Sequence, residues 1–144
     1  MNRKVAVILS GCGVYDGSEI YESVITLLRL DQRGATVQCF APDIDQMHVI
    51  NHLTGEEMPE RRNVLVESAR LARGEIKDLR EANAEEFDAL IMPGGFGAAK
   101  NLSDFATQGA ACNILPDVLS VAQAFVKAGK PVGMMCIAPT MAAQ

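Results

Sequence analysis

Cys136 is the residue with the most chemistry to offer in this sequence. It directly follows the apolar run Val132–Met135, and Ile137-Ala-Pro139 after it can open a helix with proline at a permitted early position. A strand, a turn and then a helix is the setting of a nucleophile elbow, although the G-x-S-x-G pattern is absent. Amides at a helix N-terminus favour the thiolate, which is the nucleophilic form. The competing reading is a structural thiol, because cysteine is among the most buried residue types. Cys12, Cys39 and Cys112 lie far apart, without a CxxC pair or finger-type metal spacing. Such a set reads as the reduced thiols of a cytoplasmic protein.

Other residues offer weaker chemistry. Pro93-Gly-Gly-Phe-Gly97 ends an apolar run, and its paired glycines can turn backbone N–H groups toward an oxyanion; they can equally form an ordinary turn. Gly11-Cys-Gly-Val-Tyr-Asp-Gly17 is one residue longer than the dinucleotide fingerprint, and Asp43 lies behind a proline, so a nucleotide reading is weak. Glu19 and Glu22 are carboxylates that can move protons near a thiol. Glu19 has a second explanation as a helix cap paired with Asp16. Glu22 is nearly opposite the stripe Ile20–Val24–Leu28, which suggests a solvated position. His48 and His52 have i, i+4 spacing but sit in a polar stretch with no acidic or cysteine partner, so no metal is expected.

The elements that would position these groups alternate. Val5–Leu9, Thr36–Ala41, Ala89–Met92 and Val132–Met135 read as short buried strands. Between them, Ile20, Val24, Leu27 and Leu28 mark one helix closed by Gly34, and Asn63–Ala72 a second ending at Gly74. Pro116 opens a third, with Val118, Ala122, Phe125 and Val126 on one face. Residues 43–60 read as irregular. The expected architecture is an α/β fold with a mostly parallel sheet flanked by helices. Loops 10–18, 93–100 and 136–140 then meet at the carboxyl ends of the strands, where ligands bind in such sheets.

Bulk properties bound the function. The 144 residues suit one domain and carry a formal charge of −5. With seven aromatics and no basic face, a nucleic-acid partner is not expected. The longest apolar runs fall short of the ~18 residues of a membrane helix, and Val5–Leu9 is too short for a signal peptide.

Four segments in order carry a resemblance: Ser10-Gly-Cys-Gly-Val-Tyr-Asp-Gly-Ser-Glu19, Asn51-His-Leu-Thr-Gly-Glu56, Pro93-Gly-Gly-Phe-Gly-Ala-Ala-Lys-Asn-Leu102 and Met135-Cys-Ile-Ala-Pro139. From Val5 to about Thr140 the chain resembles the ElbB-type glyoxalase branch, linked to isoprenoid biosynthesis, of the PfpI-type, class I glutamine amidotransferase-like superfamily. The resemblance implies a flavodoxin-like three-layer sandwich, Cys136 as nucleophile and a homodimer. It also implies an acidic partner twelve residues before the glycine ending the first helix; Glu22 stands there relative to Gly34. The amides of Gly94, Gly95 and Ile137 match the expected oxyanion-binding positions.

The implied reaction is cofactor-free, glutathione-independent conversion of glyoxal or a similar small dicarbonyl to a hydroxy acid, which can reflect protein deglycation. The alternative is a non-catalytic regulatory or redox-sensing module. Peptidase relatives carry His directly after the cysteine, where this chain has Ile137, and neither histidine lies beyond Cys136 as glutamine hydrolysis would require. The resemblance further implies a single domain over residues 1–144 that lacks its C-terminal part, with weak stability or low activity when isolated.

Overall fold

The computed structural model describes residues 2–144. Its elements are β1 (Lys4–Ile8), α1 (Ile20–Gln32), β2 (Thr36–Ala41), β3 (Val49–Ile50), β4 (Glu57–Met58), α2 (Val64–Ala72), β5 (Ile76–Asp78), β6 (Ala89–Met92), α3 (Gly97–Lys100), α4 (Phe105–Gln108), α5 (Pro116–Lys127) and β7 (Val132–Met134). Five strands form one parallel sheet in the order β5-β2-β1-β6-β7, and β3 pairs with β4 as an antiparallel hairpin. The α/β, flavodoxin-like expectation holds. No helix among the described residues is long and apolar enough to cross a membrane.

Strand alternation divides the core between two faces. Val5, Val7 and Leu9 point to the side where Leu27 and Leu30 of α1 and Leu71 of α2 pack. Ala6 and Ile8 point to the other, where Val118 and Phe125 of α5 meet Phe40, Leu90 and Met92. Burying a side chain such as Phe125 contributes about 1.5–3 kcal/mol, so these two clusters fix the three layers. Both faces of β1 are covered, which explains its uninterrupted apolar sequence.

The main correction concerns α1. Of the four apolar residues expected to face the core, Leu27 does, yet Ile20, Val24 and Leu28 are 42%, 48% and 50% exposed. The buried residues are instead Ser23 and Thr26. Burial on the sheet is supplied by Leu27 and Leu30, while polar packing turns the remaining inner face toward the loops. Ser23 Oγ donates to the Glu19 carbonyl at 2.7 Å, and Thr26 Oγ1 approaches Met135 Sδ at 3.7 Å. The face that the helical wheel assigned to solvent therefore points at the site. The same wheel reasoning fails at Val126 of α5, which is 66% exposed.

Smaller differences have local causes. Residues 43–60 contain the β3–β4 hairpin, whose two-residue strands are too short to give a periodic signal. Strand β5 is only three residues long and follows the left-handed turn at Arg73-Gly74. The expected elbow helix is a short 3-10 turn over Ala138–Ala143.

Candidate active site

Loop 10–19 leaves the carboxyl end of β1 and is held by backbone and small polar side chains. Ser10 N–H donates to Ser18 Oγ at 2.8 Å, and Gly11 N–H to Ser68 Oγ of α2 at 2.8 Å. Gly13 and Gly17 N–H groups are bonded inside the loop, to Ser18 O at 2.9 Å and Gly13 O at 2.7 Å. With those amides occupied internally, the glycines do not form a phosphate cradle, and the dinucleotide reading fails on geometry. The helix cap is Glu19, whose Oε2 accepts from Glu22 N–H at 2.7 Å. Asp16, expected to share that cap, accepts from Ile50 N–H instead, at 2.8 Å.

Asn101 was not singled out from sequence, yet it ties three segments together. Its buried amide donates to Ser10 O at 2.8 Å and Asp16 O at 2.9 Å, while its Oδ1 accepts from Met47 N–H at 2.9 Å. Removing it strands three backbone groups, at roughly 1–3 kcal/mol for each that stays dry. Asn101→Ala is expected to lower unfolding free energy by about 3 kcal/mol or more in urea. A change under about 0.5 kcal/mol would contradict this account of the loop.

The glycine loop after β6 docks onto that framework. Phe96 and Gly97 donate to Val14 O at 2.8 Å and Gly17 O at 2.9 Å, and Glu19 N–H donates to Gly94 O at 2.9 Å. Gly95 has φ +96°, and a Cβ there would overlap Glu19 N and Gly17 O. A Cβ on Gly94 would overlap Cys136 Cβ and stand 2.8 Å from Glu22 Oε1. The thiol-bearing residue and the carboxylate therefore meet across the bare backbone of Gly94.

Cys136 itself has φ +56°, a left-handed conformation that costs a non-glycine residue on the order of 1–2 kcal/mol. It is exposed, whereas Cys39 and Cys112 are buried. Ala138 N–H bonds back to Met135 O at 2.9 Å, closing the turn that presents the thiol. Glu22 is half-buried, with Oε1 accepting the Gly94 N–H at 2.9 Å. An amide has one hydrogen, so Gly94 does not serve as an oxyanion donor while it holds this carboxylate. That expectation is corrected. The N–H groups of Gly95 and Ile137 donate to no acceptor among the described residues.

The thiols should separate by reactivity. Burial pushes the Cys39 thiol up to about 11, and burial also raises half-buried Cys12, opposed by Arg70. Limited iodoacetamide at neutral pH is expected to label Cys136 first and Cys12 slowly, sparing Cys39 and Cys112, as read by peptide mass spectrometry. Labelling of Cys39 as fast as Cys136 would contradict the placement. His48 Nδ1 lies 3.5 Å from Glu57 Oε2, and His52 braces the loop. His52 Nε2 accepts from Tyr15 N–H at 3.1 Å, so its Nδ1 carries the proton toward Ile50 O at 3.0 Å. No group of three or more metal-ligating side chains exists among the described residues.

Residues 3–144 match the DJ-1/PfpI family. The chain is 56% identical over 142 residues to the human mitochondrial glutamine amidotransferase-like class 1 domain-containing protein 3, covering 98% of this chain and 53% of that protein. It is 54% identical to the rat mitochondrial ES1 protein homolog, with the same coverage. Among solved structures, an isoprenoid biosynthesis protein with an amidotransferase-like domain from Ehrlichia chaffeensis superposes with TM-score 0.92 at 45% identity. That match covers 96% of this chain and 66% of the other. The chain thus spans about half the length of these curated relatives. These relatives and the zebrafish ES1 protein are mitochondrial, which overturns the cytoplasmic expectation. Unpatterned thiols report a reducing setting and carry no address.

Proposed function

Because the chain belongs to the DJ-1/PfpI family, we propose that it is a glyoxalase of the ElbB type, turning glyoxal or a related small dicarbonyl into a hydroxy acid. The observation that carries this reading is the meeting of Cys136 and Glu22 over Gly94. The thiolate attacks an aldehyde carbon; a C–S bond forms and the carbonyl electron pair moves to oxygen. The free N–H groups of Gly95 and Ile137 are suited to meet that oxygen. Once protonated it is a hemithioacetal. Glu22 then removes the proton from the sulfur-bearing carbon and returns it to the neighbouring carbonyl carbon. The first carbon is oxidised and the second reduced, leaving a hydroxy thioester. Water cleaves the C–S bond, releases the hydroxy acid and regenerates the thiol. No cofactor enters the balance. The same chemistry on adducts of protein amines would register as deglycation.

Glu22→Gln is the informative test, because an amide oxygen can still accept from Gly94 N–H while basicity is lost. Glycolate formation is expected to fall by roughly 10²–10⁴ with little change in melting temperature. Retained turnover would remove Glu22 from the reaction.

The exposure of Cys136 favours a second reading, a redox-sensing module, and the Ehrlichia relative supplies the isoprenoid connection. Oxidation of Cys136 without any glycolate release would support it. A homodimer remains part of the proposal, with the exposed α1 face of Ile20, Val24 and Leu28 available to it.

A further inference from the structure

A cavity of about 510 Å³ opens beside the elbow. Ile137, the residue after the nucleophile, forms one wall, and Phe96, the residue after Gly95, forms another; Tyr15, Ile50, Phe105 and Ala106 line the rest. Pockets of roughly 300–1,000 Å³ hold drug-sized molecules, so a two-carbon dicarbonyl would leave this one nearly empty. Its walls are mostly apolar, and Lys100 is the one charged side chain among its lining residues. The Lys100 ammonium donates to Tyr15 O at 2.6 Å and stands 5.4 Å from the centre of the Phe96 ring. It retains further N–H donors beyond that bond. Burial lowers the lysine from its usual range, against the pull of Asp16 and Glu57, which means that its charged form gains from an added anion.

Resting on the glyoxalase reading, we propose that the substrates of this site are 2-oxoaldehydes with an aryl-sized apolar body, seated in the Phe96–Phe105 cavity, that end in an anionic group facing Lys100. Of the two walls that reach the reaction centre, Ile137 itself carries one of the free amide donors and Phe96 directly follows Gly95, which carries the other. A substrate held there places its body in the cavity and its aldehyde toward Cys136. The single lysine selects the sign of the distal group, and the aromatic walls select its bulk.

The test uses the corresponding hydroxy acids, whose binding requires no thiol chemistry. Affinities of the whole chain for glycolate, mandelate and 4-carboxymandelate are measured by calorimetry or ligand-detected NMR. Mandelate is expected to bind at least tenfold tighter than glycolate, and 4-carboxymandelate at least threefold tighter again. Ala106→Trp, a change at an exposed wall residue, should cost mandelate tenfold. Lys100→Met should erase the para-carboxylate gain and keep the mandelate preference. Equal affinities for mandelate and glycolate, or mandelate binding indifferent to Ala106→Trp, would overturn the assignment. A para-carboxylate gain that is missing in the native chain, or that survives Lys100→Met, would do the same. Loss of glyoxal turnover with these preferences intact would instead sink the glyoxalase reading alone.

Discussion

Replacing Cys136 by alanine is expected to reduce glycolate formation from glyoxal to the uncatalysed level, a loss of roughly 10³-fold or more. No other thiol can take over. Cys39 and Cys112 are buried, and Cys12 is half-buried with its thiol raised by desolvation. The same position makes an opposite prediction for stability. Its left-handed backbone, φ +56°, is strained for any residue with a Cβ. Cys136→Ala keeps that strain and should melt close to the native protein. Cys136→Gly relieves it and should be more stable by about 1 kcal/mol, with activity still absent. Thermal melts beside the glyoxal assay check both. A less stable glycine variant would show that the backbone does not store strain there, and an active alanine variant would remove the nucleophile from the mechanism.

The second large effect is expected at Gly94. An added methyl overlaps Cys136 Cβ and the Met135 carbonyl oxygen, neither of which is the free end of a flexible chain, and it also presses on Glu22 Oε1. The Gly94 carbonyl is fixed by Glu19 N–H and its amide by Glu22, so the loop has little room to retreat. Gly94→Ala should cost about 1–3 kcal/mol of stability by overpacking. It should also cost at least 10²-fold in kcat/KM, because displacements near 1 Å ruin a reactive geometry. Gly133→Ala is the control. Its added Cβ would meet Ile91 only at ordinary van der Waals distance, 3.7 Å, and little change is expected. Equal behaviour of the two variants in assay and urea unfolding would contradict the close approach across Gly94.

What the sequence disclosed follows from the physics of each element. Long or doubly buried segments announced themselves: β1, β2, β6 and α5 owe their composition to local burial, which periodicity reads directly. The hairpin at 49–58 and strand β5 did not, because two or three residues held by distant partners leave no period. On α1, periodicity placed Leu27 correctly and the rest of its stripe wrongly. The apolar stripe Ile20–Val24–Leu28 is on the exposed side, while the polar residues Glu22, Ser23 and Thr26 contact the Gly94 amide, the Glu19 carbonyl and Met135 Sδ. The helical wheel gives Glu22 to solvent, whereas the structure turns its carboxylate onto the Gly94 amide. Gly94 shows the reverse limit. A motif identifies a backbone position but does not say where its single N–H is spent. Asn101 left no mark of its own, since its three partners come from residues far away in sequence.

The central claim is that Cys136 bonds to the dicarbonyl and Glu22 moves the proton afterwards. It is tested most directly by ¹³C NMR of the Glu22→Gln protein mixed with doubly ¹³C-labelled glyoxal. With proton transfer slowed, the hemithioacetal should accumulate, giving a sulfur-bound carbon resonance that maps to the Cys136 peptide and vanishes in Glu22→Gln combined with Cys136→Ala. Glycolate appearing from the native protein without any adduct on Cys136 in the Glu22→Gln variant would contradict the account.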